Sequence, residues 1–305
     1  MQTILGAGGD IGKLLAKELK AYTGKIRLVA RNPQKVNDTD ELFIADITDK
    51  NATFHAVEGS EIVYLTAGFE YNTKVWQKSW PLAMQNVIDA CLHHNCRLVF
   101  FDNVYAYSKD CIPHMTEECL IDPPSKKGAV RAQVLKMLID AMKNKGLNAL
   151  VARSADFYGP ASKNGLLNIG VIDNFKKGKK AFWQSDAAKV HSITFTPDAA
   201  KATALLGNTD DAYGQVWHLP TSPEKLTGKE FIQLTAAAMN VQPRYYTLSK
   251  FMISLVGLFS PVVKELREMQ YQNDREYFFD STKFEKRFGL KATAYRDGIA
   301  QSVKD

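Results

Sequence analysis

Glycine spacing at the start of the chain is typical of a phosphate-binding loop. The segment "GAGGDIG" places Gly6, Gly9 and Gly12 at GxxGxxG spacing directly after the apolar segment "QTIL". Such glycines permit the tight turn that leaves a strand, the approach of backbone to a pyrophosphate, and close packing of the next helix on the sheet. That helix then offers free N–H groups and its positive dipole end to the phosphates. Unless this is a turn with only a structural role, the residues predicted to contact a dinucleotide are Gly6, Gly8, Gly9, Asp10, Ile11 and Gly12.

The residue after the second predicted strand bears on which dinucleotide is bound. An NAD site usually has Asp or Glu there, where the carboxylate bonds the ribose 2′-hydroxyl. This chain has no acidic residue between Glu18 and Asp38, and the strand ends in "VARNP" with Arg31. A guanidinium can bind a 2′-phosphate through two hydrogen bonds. The sequence therefore favours NADP over NAD, unless Arg31 is only an exposed charge and the site accepts both.

The end of the third predicted strand offers a second contact. Asp46, in "ADITD", is placed to accept a hydrogen bond from the adenine amino group. The alternative is that Asp46 is a turn or cap residue before the next helix.

The elements that position these residues follow from the hydrophobic pattern. Short β-branched segments alternate with helical patterns through the first half, which predicts βαβ units and a parallel sheet. The predicted strands are "QTILGAG", "IRLVAR", "LFIAD", "EIVYLTAG", "RLVFFDN" and "NALVARSADFYGP". Helices are predicted from Ile11 to about Tyr22, near Trp80 to His93, and through "GAVRAQVLKMLIDAMKNKG" to Gly146.

The second half has a different pattern. The segment "TPDAAKATALLG" predicts a helix with Thr196 as its N-cap, and "TGKEFIQLTAAAM" opens with a capping box formed by Thr227 and Glu230. The apolar segment from Phe251 to Val263 is too short to span a bilayer and predicts a helix that packs on a core or lines a pocket.

Together these patterns predict an α/β fold, a Rossmann-type doubly wound parallel sheet with a smaller, mostly helical C-terminal lobe; that this is a substrate lobe is what the family resemblance given below implies. We expect an NAD(P)-binding Rossmann domain over residues 1–160 and a substrate-binding lobe over residues 161–305. About residues 189–218 are expected to return to the Rossmann domain.

Composition and charge exclude several function classes. The chain has 305 residues, 45% hydrophobic and 24% charged, which is ordinary for a globular protein. The net charge of +6 is spread along the chain, without the aromatic and basic interleaving of a nucleic-acid surface. The four cysteines fit no zinc spacing, so no metal site is predicted. With no signal-peptide or membrane-span pattern, we expect a cytoplasmic protein with a small-molecule substrate and neither nucleic acid nor membrane as partner.

Several motifs in order resemble one known family. The glycine loop, "ADI", "YLTAG", "DNVYAY", the Lys127 region and "RSADFYGP" resemble an extended short-chain dehydrogenase/reductase, more narrowly the NAD-dependent epimerase/dehydratase family. The resemblance covers nearly the whole chain and implies a Rossmann domain with a C-terminal substrate lobe. Many members bind nucleotide sugars and work through transient oxidation by tightly held NAD(P), and others reduce carbonyls. Members often form dimers, so a homodimer is a further expectation.

The resemblance also implies cofactor contacts beyond the glycine loop. Two residues match adenine contacts, three match the strand-four loop beside the cofactor ribose, and three match the segment near the nicotinamide carboxamide. One more matches a helix asparagine that usually ties central strands together. In that order, these residues are Asp46 and Ile47; Thr66, Ala67 and Gly68; Ala155, Asp156 and Phe157; and Asn86.

The catalytic positions depart from the family pattern of Ser or Thr plus YxxxK. Phe101 stands at the serine position, Lys127 at the tyrosine and Arg131 at the lysine. The family lysine hydrogen-bonds the nicotinamide ribose and lowers the pKa of the tyrosine through its positive charge. Arg131 has the donors and the fixed charge for both functions, but it cannot exchange a proton. Lys127, crowded by Arg131 and a cationic nicotinamide, could replace the phenol as acid/base, or it is a solvated residue before the helix.

Other residues leave alternatives open. Tyr105 or Tyr107, after the fifth strand, could supply a phenol instead, although packing and loop anchoring explain them too. Asp102 is either a pocket residue or a turn residue. His191 and His218 are more often structural, so neither is assigned a role.

Two functions follow from this set. The first is an NAD(P)-dependent oxidoreductase or epimerase, with Lys127, Arg131 and Tyr105 as catalytic candidates and a nucleotide sugar or other small carbonyl or hydroxyl compound as substrate. The second is a non-catalytic NADP-binding redox sensor or regulatory protein on the same fold.

Overall fold

The computed structural model describes residues 1–160, 162–163, 165–249, 252 and 265–304. The strands in these ranges are β1 (Gln2–Leu5), β2 (Ile26–Ala30), β3 (Glu41–Ile44), β4 (Ile62–Leu65), β5 (Arg97–Asn103), β6 (Ala149–Ser154), β7 (Asp156–Tyr158), β8 (Ala181–Gln184), β9 (Ile193–Phe195), β10 (Val216–His218) and β11 (Tyr245–Leu248). The α-helices are α1 (Asp10–Leu19), α2 (Lys50–Val57), α3 (Thr73–His93), α4 (Lys126–Lys145), α5 (Asp173–Lys176), α6 (Thr196–Gly207), α7 (Gly228–Met239), α8 (Thr282–Phe288) and α9 (Tyr295–Ser302). Short 3-10 helices span Lys109–His114, Asp210–Ala212 and Arg267–Gln272, and a π-helical turn spans Asn168–Ile172.

The central sheet confirms the predicted α/β fold class. Within the described residues, seven strands pair in the order β10-β6-β5-β4-β1-β2-β3, and every pair is parallel. The order reverses between β1 and β4, which creates a crevice at the carboxyl ends of these two strands. Ligands of doubly wound sheets bind in that crevice. Two further two-stranded sheets pair β8 with β11 and β7 with β9.

Apolar side chains cover both faces of the sheet, as a parallel sheet requires. One face packs against α2, α3 and α4, with Leu65, Phe100 and Leu138 among its fully buried residues. The other packs against α1 and α6, with Ile4 and Val99 in its core. Because side chains point alternately to the two faces of a strand, neighbouring residues of one strand pack in the cores on opposite sides of the sheet.

Capping residues set several helix ends. Ser125 caps α4 by accepting a hydrogen bond from the Gly128 N–H, and Gly146 ends α4 in the left-handed conformation at φ 72°. The predicted capping box of Thr227 and Glu230 is confirmed at the start of α7. The prediction for α6 is wrong by one residue, since the helix already includes Thr196.

The C-terminal part packs around its own core. Trp183, Phe231 and Tyr295 are fully or almost fully buried in an apolar cluster that joins β8, α7 and α9. The predicted helix from Phe251 to Val263 lies outside the described residues, apart from Met252.

Candidate functional site

The glycine loop leaves no room for side chains at two positions. Gly6 has a φ of 96°, a conformation that side chains disfavour, and its N–H donates to the Val29 carbonyl at 2.9 Å. A Cβ at Gly6 would clash with the Cα of Ala67, so backbone of β1 and of the loop after β4 meet directly. A Cβ at Gly12 would lie 2.8 Å from the Cα of Ala7, which brings α1 tightly against the loop.

The N-terminus of α1 is open on the outside of this loop. Gly9 occupies the N-cap position, and no described side chain caps the first N–H groups of the helix. A Cβ at Gly8 would meet only the Ala30 Cβ, at 4.0 Å. Asp10, in the first turn, accepts a hydrogen bond from the Lys163 N–H at 2.9 Å. Ile11 is buried against the sheet. Uncapped N–H groups and small exposed residues fit an anionic pyrophosphate.

Arg31 and Asp46 lie near each other beyond β2 and β3. Arg31 is exposed and has no hydrogen bond or ion pair with the described residues. One oxygen of Asp46 accepts hydrogen bonds from Thr48, from the N–H at 2.9 Å and from the hydroxyl at 2.8 Å. These bonds, and then the Arg31 charge, lower the pKa of Asp46. Asp46 therefore caps a turn and is exposed, and its predicted adenine contact stays a prediction.

Residues along the carboxyl edge of the sheet hold its loops together. The Asn86 amide donates to the Ile47 carbonyl at 3.1 Å and ties α3 to the loop after β3. The Thr66 hydroxyl donates to the Leu5 carbonyl at 3.3 Å. A Cβ at Gly68 would meet no atom within 4 Å, so this loop is open on one side.

The loop after β6 is anchored in a similar way. The Ala155 N–H donates to the Thr194 hydroxyl at 3.2 Å. Phe157 packs against Phe101, with ring centroids 5.8 Å apart.

Lys127 is fully buried in an ion-pair cluster. Its ammonium group contacts the Glu265 carboxylate and lies 2.8 Å from Glu268 Oε1, 3.1 Å from Thr73 Oγ1 and 4.6 Å from the centre of the Tyr71 ring. Burial raises the pKa of Glu265, but the hydrogen bonds from Lys127 and Thr73 outweigh it and lower that pKa. The alternative of a solvated residue before the helix is wrong, since Lys127 lies in the first turn of α4 with no exposed surface. All three ammonium donors have acceptors within the protein.

Arg131 belongs to a second buried cluster. Its Nε lies 3.0 Å from Asp102 Oδ1, and its Nη2 donates to the same oxygen. Nη2 of Arg153 donates to Asp102 Oδ2 at 2.8 Å. Burial would raise the pKa of Asp102, but the two guanidinium charges outweigh it and lower that pKa. The Arg131 guanidinium also lies 4.1 Å from the Trp80 ring and 4.9 Å from the Phe100 ring.

The second cluster continues from β6 to the edge strand β10 through the neutral side chains of Tyr107 and His218. The Arg153 guanidinium lies 4.6 Å from the Tyr107 ring, whose hydroxyl is 2.6 Å from His218 Nε2. His218 Nδ1 reaches the Asp280 carbonyl at 2.7 Å. Burial, and then the Arg153 charge, lowers the pKa of His218 to about 3, so the imidazole is neutral at pH 7. His218 is therefore a satisfied structural histidine.

Tyr105 lies between aromatic and acidic neighbours. Its ring stacks on Trp76 with centroids 6.1 Å apart. Burial, followed by the charges of Tyr71 and Asp156, raises the pKa of Tyr105 well above its usual value. A phenol of this kind stays protonated at neutral pH, so it can donate a hydrogen bond but is not available to accept a proton.

Asp156 has a partner that the sequence did not indicate. Its Oδ2 lies 2.9 Å from His191 Nε2, and 27% of its side chain is exposed while His191 is 3% exposed. The pair lies at the carboxyl end of β6, on the side of the sheet edge opposite Arg31.

Metal-binding clusters and membrane-spanning helices are both absent from the part of the chain that the structure describes. No cluster of three or more His, Cys, Asp or Glu side chains there could hold a metal ion. In the same ranges, no helix combines the length and the hydrophobicity that crossing a membrane requires.

The comparison with family models decides the family. Residues 3–218 match the model of the NAD-dependent epimerase/dehydratase family. This chain belongs to that family. The family assignment confirms the resemblance seen in the motifs. No curated protein sequence matches the chain.

Solved structures of a dehydratase and of two epimerases have the same fold. A double mutant of dTDP-glucose 4,6-dehydratase from Streptomyces venezuelae, solved with NAD, superposes with a TM-score of 0.81 at 16% identity, covering 100% of this chain and 96% of that one. UDP-N-acetylglucosamine 4-epimerase from Bacillus cereus gives 0.78 at 16% identity over 99% and 95%. UDP-glucose 4-epimerase from Thermus thermophilus, in complex with NAD, gives 0.78 at 17% identity over 100% and 98%.

Proposed function

We propose that this chain binds NADP, or NAD, at its glycine loop and acts as an epimerase/dehydratase-like oxidoreductase on a nucleotide sugar or another small hydroxyl or carbonyl compound. The observation that carries the proposal is the contact of Gly6 with Ala67 beside the uncapped start of α1. It places open N–H groups at the crevice between β1 and β4. The dehydratase and epimerase structures that share the fold support a sugar-nucleotide substrate.

The preference for NADP rests on Arg31. Its guanidinium is exposed directly after β2 and makes no hydrogen bond or ion pair with the described residues. The end of β2 is where a doubly wound fold presents a residue to the adenine ribose. A free guanidinium there can bind a 2′-phosphate, whereas a 2′-hydroxyl gives it little to bind.

Titration with NADPH and NADH tests both parts of the proposal. We expect NADPH to bind more tightly, and Arg31→Ala to weaken NADPH binding roughly tenfold or more, as loss of a charged hydrogen bond of about 1.5–3 kcal/mol requires. NADH affinity should stay the same. Lys35→Ala, in the same exposed segment, is the matched control, because Lys35 is already bonded to the Asp38 carbonyl at 2.8 Å. Equal affinities in the unmodified chain would remove the NADP preference, and binding of neither nucleotide would remove the proposed function.

The non-catalytic alternative is favoured by one observation. Both residues at the Tyr/Lys positions of the family, Lys127 and Arg131, are buried and engaged by carboxylates. A chain that binds NADPH but never exchanges hydride with any sugar nucleotide would support the sensor function instead.

A further inference from the structure

A carboxylate and an imidazole meet at the carboxyl end of β6, on the same sheet edge as the glycine loop. Asp156 begins β7, and its Oδ2 lies 2.9 Å from Nε2 of His191, which comes shortly before β9. β7 pairs with β9 in parallel, with Asp156 opposite Ile193. The backbone segments that carry the two side chains are therefore held in a fixed relation.

The two partners differ in access to solvent. The Asp156 side chain is 27% exposed, but that of His191 is only 3% exposed. His191 stacks face to face on Tyr277 with ring centroids 4.2 Å apart, and it meets Trp183 edge-on at 6.0 Å. These contacts fix the imidazole with Nε2 towards the carboxylate. Of the pair, Asp156 is the group that a bound molecule can reach.

Phenols from three parts of the chain surround this carboxylate. Tyr71 follows β4, Tyr105 follows β5, and Tyr277 belongs to the C-terminal part. Burial raises the pKa of each phenol, and the Asp156 charge raises it further. At neutral pH these phenols are donors rather than bases. The cluster therefore contains one accessible proton acceptor, Asp156, among its described members.

Resting on the proposed function, we propose that Asp156 is the catalytic acid/base of this chain and that His191 is its positioning residue. A dinucleotide bound with its pyrophosphate at β1 and its adenine half towards β2 and β3 would have its nicotinamide half towards β4, β5 and β6. Asp156 lies at that end. Lys127 and Arg131 are buried in ion pairs, so neither is available as the acid/base.

The proposed step balances protons and electrons. In the oxidative direction, an Asp156 oxygen would take the proton of a substrate hydroxyl, while the hydride on the same carbon would leave with its electron pair for the oxidised nicotinamide, the oxidant that bound NAD(P) would supply. The C–O single bond becomes a carbonyl, and the proton stays on the Asp156 carboxyl group. In the reverse direction, that carboxyl returns the proton to the carbonyl oxygen as hydride returns to carbon. His191 orients the carboxylate through the hydrogen bond from Nε2.

Four variants of the full chain test the assignment: Asp156→Asn, Asp156→Glu, His191→Gln and the control His114→Gln. The control removes a His–Asp pair of similar geometry, His114 with Asp280 at 3.0 Å, on the surface. Three quantities are measured for each variant: NADPH and NADH affinity, the imidazole ¹⁵N NMR shifts, and turnover of UDP-glucose and dTDP-glucose across a pH series.

The pH series must allow for the other titratable groups around the pair. Besides the three phenols, these are Lys189 and Glu276, which form an ion pair at 3.8 Å. Glu276 also accepts a hydrogen bond from the Val190 N–H at 2.8 Å, next to His191.

We expect Asp156→Asn to lower kcat by about 10²- to 10⁴-fold, the usual contribution of general acid/base catalysis, and to change nucleotide affinity far less than kcat. Its His191 ¹⁵N shifts should change, because the carboxylate that fixes the tautomer is gone. Asp156→Glu should restore part of kcat, and His191→Gln should lower kcat less and displace the pH profile. His114→Gln should match the unmodified chain in all three readouts.

Two results would contradict different parts of the account. The assignment would be overturned, and the proposed function left standing, if Asp156→Asn showed undiminished turnover or if the ¹⁵N NMR shifts of His191 were the same in this variant as in the unmodified chain. Failure of the unmodified chain to bind either nucleotide would overturn the proposed function itself.

Discussion

Replacement of Lys127 by methionine distinguishes a structural lysine from a catalytic one. Methionine keeps most of the length of the side chain and removes the ammonium charge. In the folded protein it would leave Glu265 and Glu268 without the cation that now lies between them. Thr73 would lose a donor at 3.1 Å as well.

The expected loss of stability follows from the burial of the ion pair. Removing one partner of a buried ion pair costs about 3–5 kcal/mol. Lys127 has no exposed surface, but Glu265 and Glu268 retain 19% and 22% exposure, so water can reach their carboxylates. We therefore expect Lys127→Met to lower the free energy of unfolding by about 3 kcal/mol, the low end of that range.

A triple variant provides the matched control. Combining Lys127→Met with Glu265→Gln and Glu268→Gln removes both uncompensated carboxylates. Because the three side chains interact directly, the triple variant should be at least about 1 kcal/mol more stable than Lys127→Met alone. Urea unfolding gives these free energies, and NADPH titration of the same samples should show unchanged affinity. Stability within about 0.5 kcal/mol of the unmodified chain, together with lost turnover, would refute the structural role and make Lys127 catalytic.

Three further predictions concern the loop and the second buried cluster. Gly6→Ala should abolish nucleotide binding and lower the free energy of unfolding in urea by at least about 2 kcal/mol, because Gly6 has a φ of 96° and an added Cβ would clash with Ala67. Gly24→Ala is the control: no atom lies near its Cβ, so this change should leave the stability unaltered or raise it slightly. Asp102→Asn should lower the free energy of unfolding by about 3–5 kcal/mol at pH 7. Because the pKa of Asp102 is lowered in the folded state, the difference in this free energy between the variant and the unmodified chain should shrink below about pH 4. The folded pKa of His218 is about 3 against 6.5 unfolded, so stability should fall by up to about 1.4 kcal/mol per pH unit from pH 6.5 towards 3. His218→Gln should remove that dependence, and an unchanged slope would contradict it.

Local pattern predicted much of the sheet and the loop. "RLVFFDN" is β5, residue for residue, because its apolar segment has a strand's length and is buried on both faces. The glycine loop was predictable because backbone passes so close to Gly6 and Gly12 that only glycine fits, and this requirement appears directly in the spacing of the glycines.

The partners of charged residues were not predictable in the same way. Asp102 and Arg131 are separated by 29 residues, and Lys127 and Glu265 by 138, so no short pattern connects them. One signal was available: Asp102 and Arg153 stand inside otherwise apolar strands, where a charge needs a buried partner. That signal predicts pairing but not the identity of the partner.

His191 shows a second limit. Its contact with Asp156 depends on the pairing of β7 with β9, which only the fold establishes. A single histidine beside a short strand carries no such information in the sequence.

A crystal structure of the full chain with NADP⁺ would show where the dinucleotide binds. We expect the pyrophosphate on the N–H groups at the start of α1, the 2′-phosphate beside Arg31, and nicotinamide C4 facing Asp156. A dinucleotide bound elsewhere on the protein, or a nicotinamide in contact with a Lys127 released from its glutamates, would contradict this expectation.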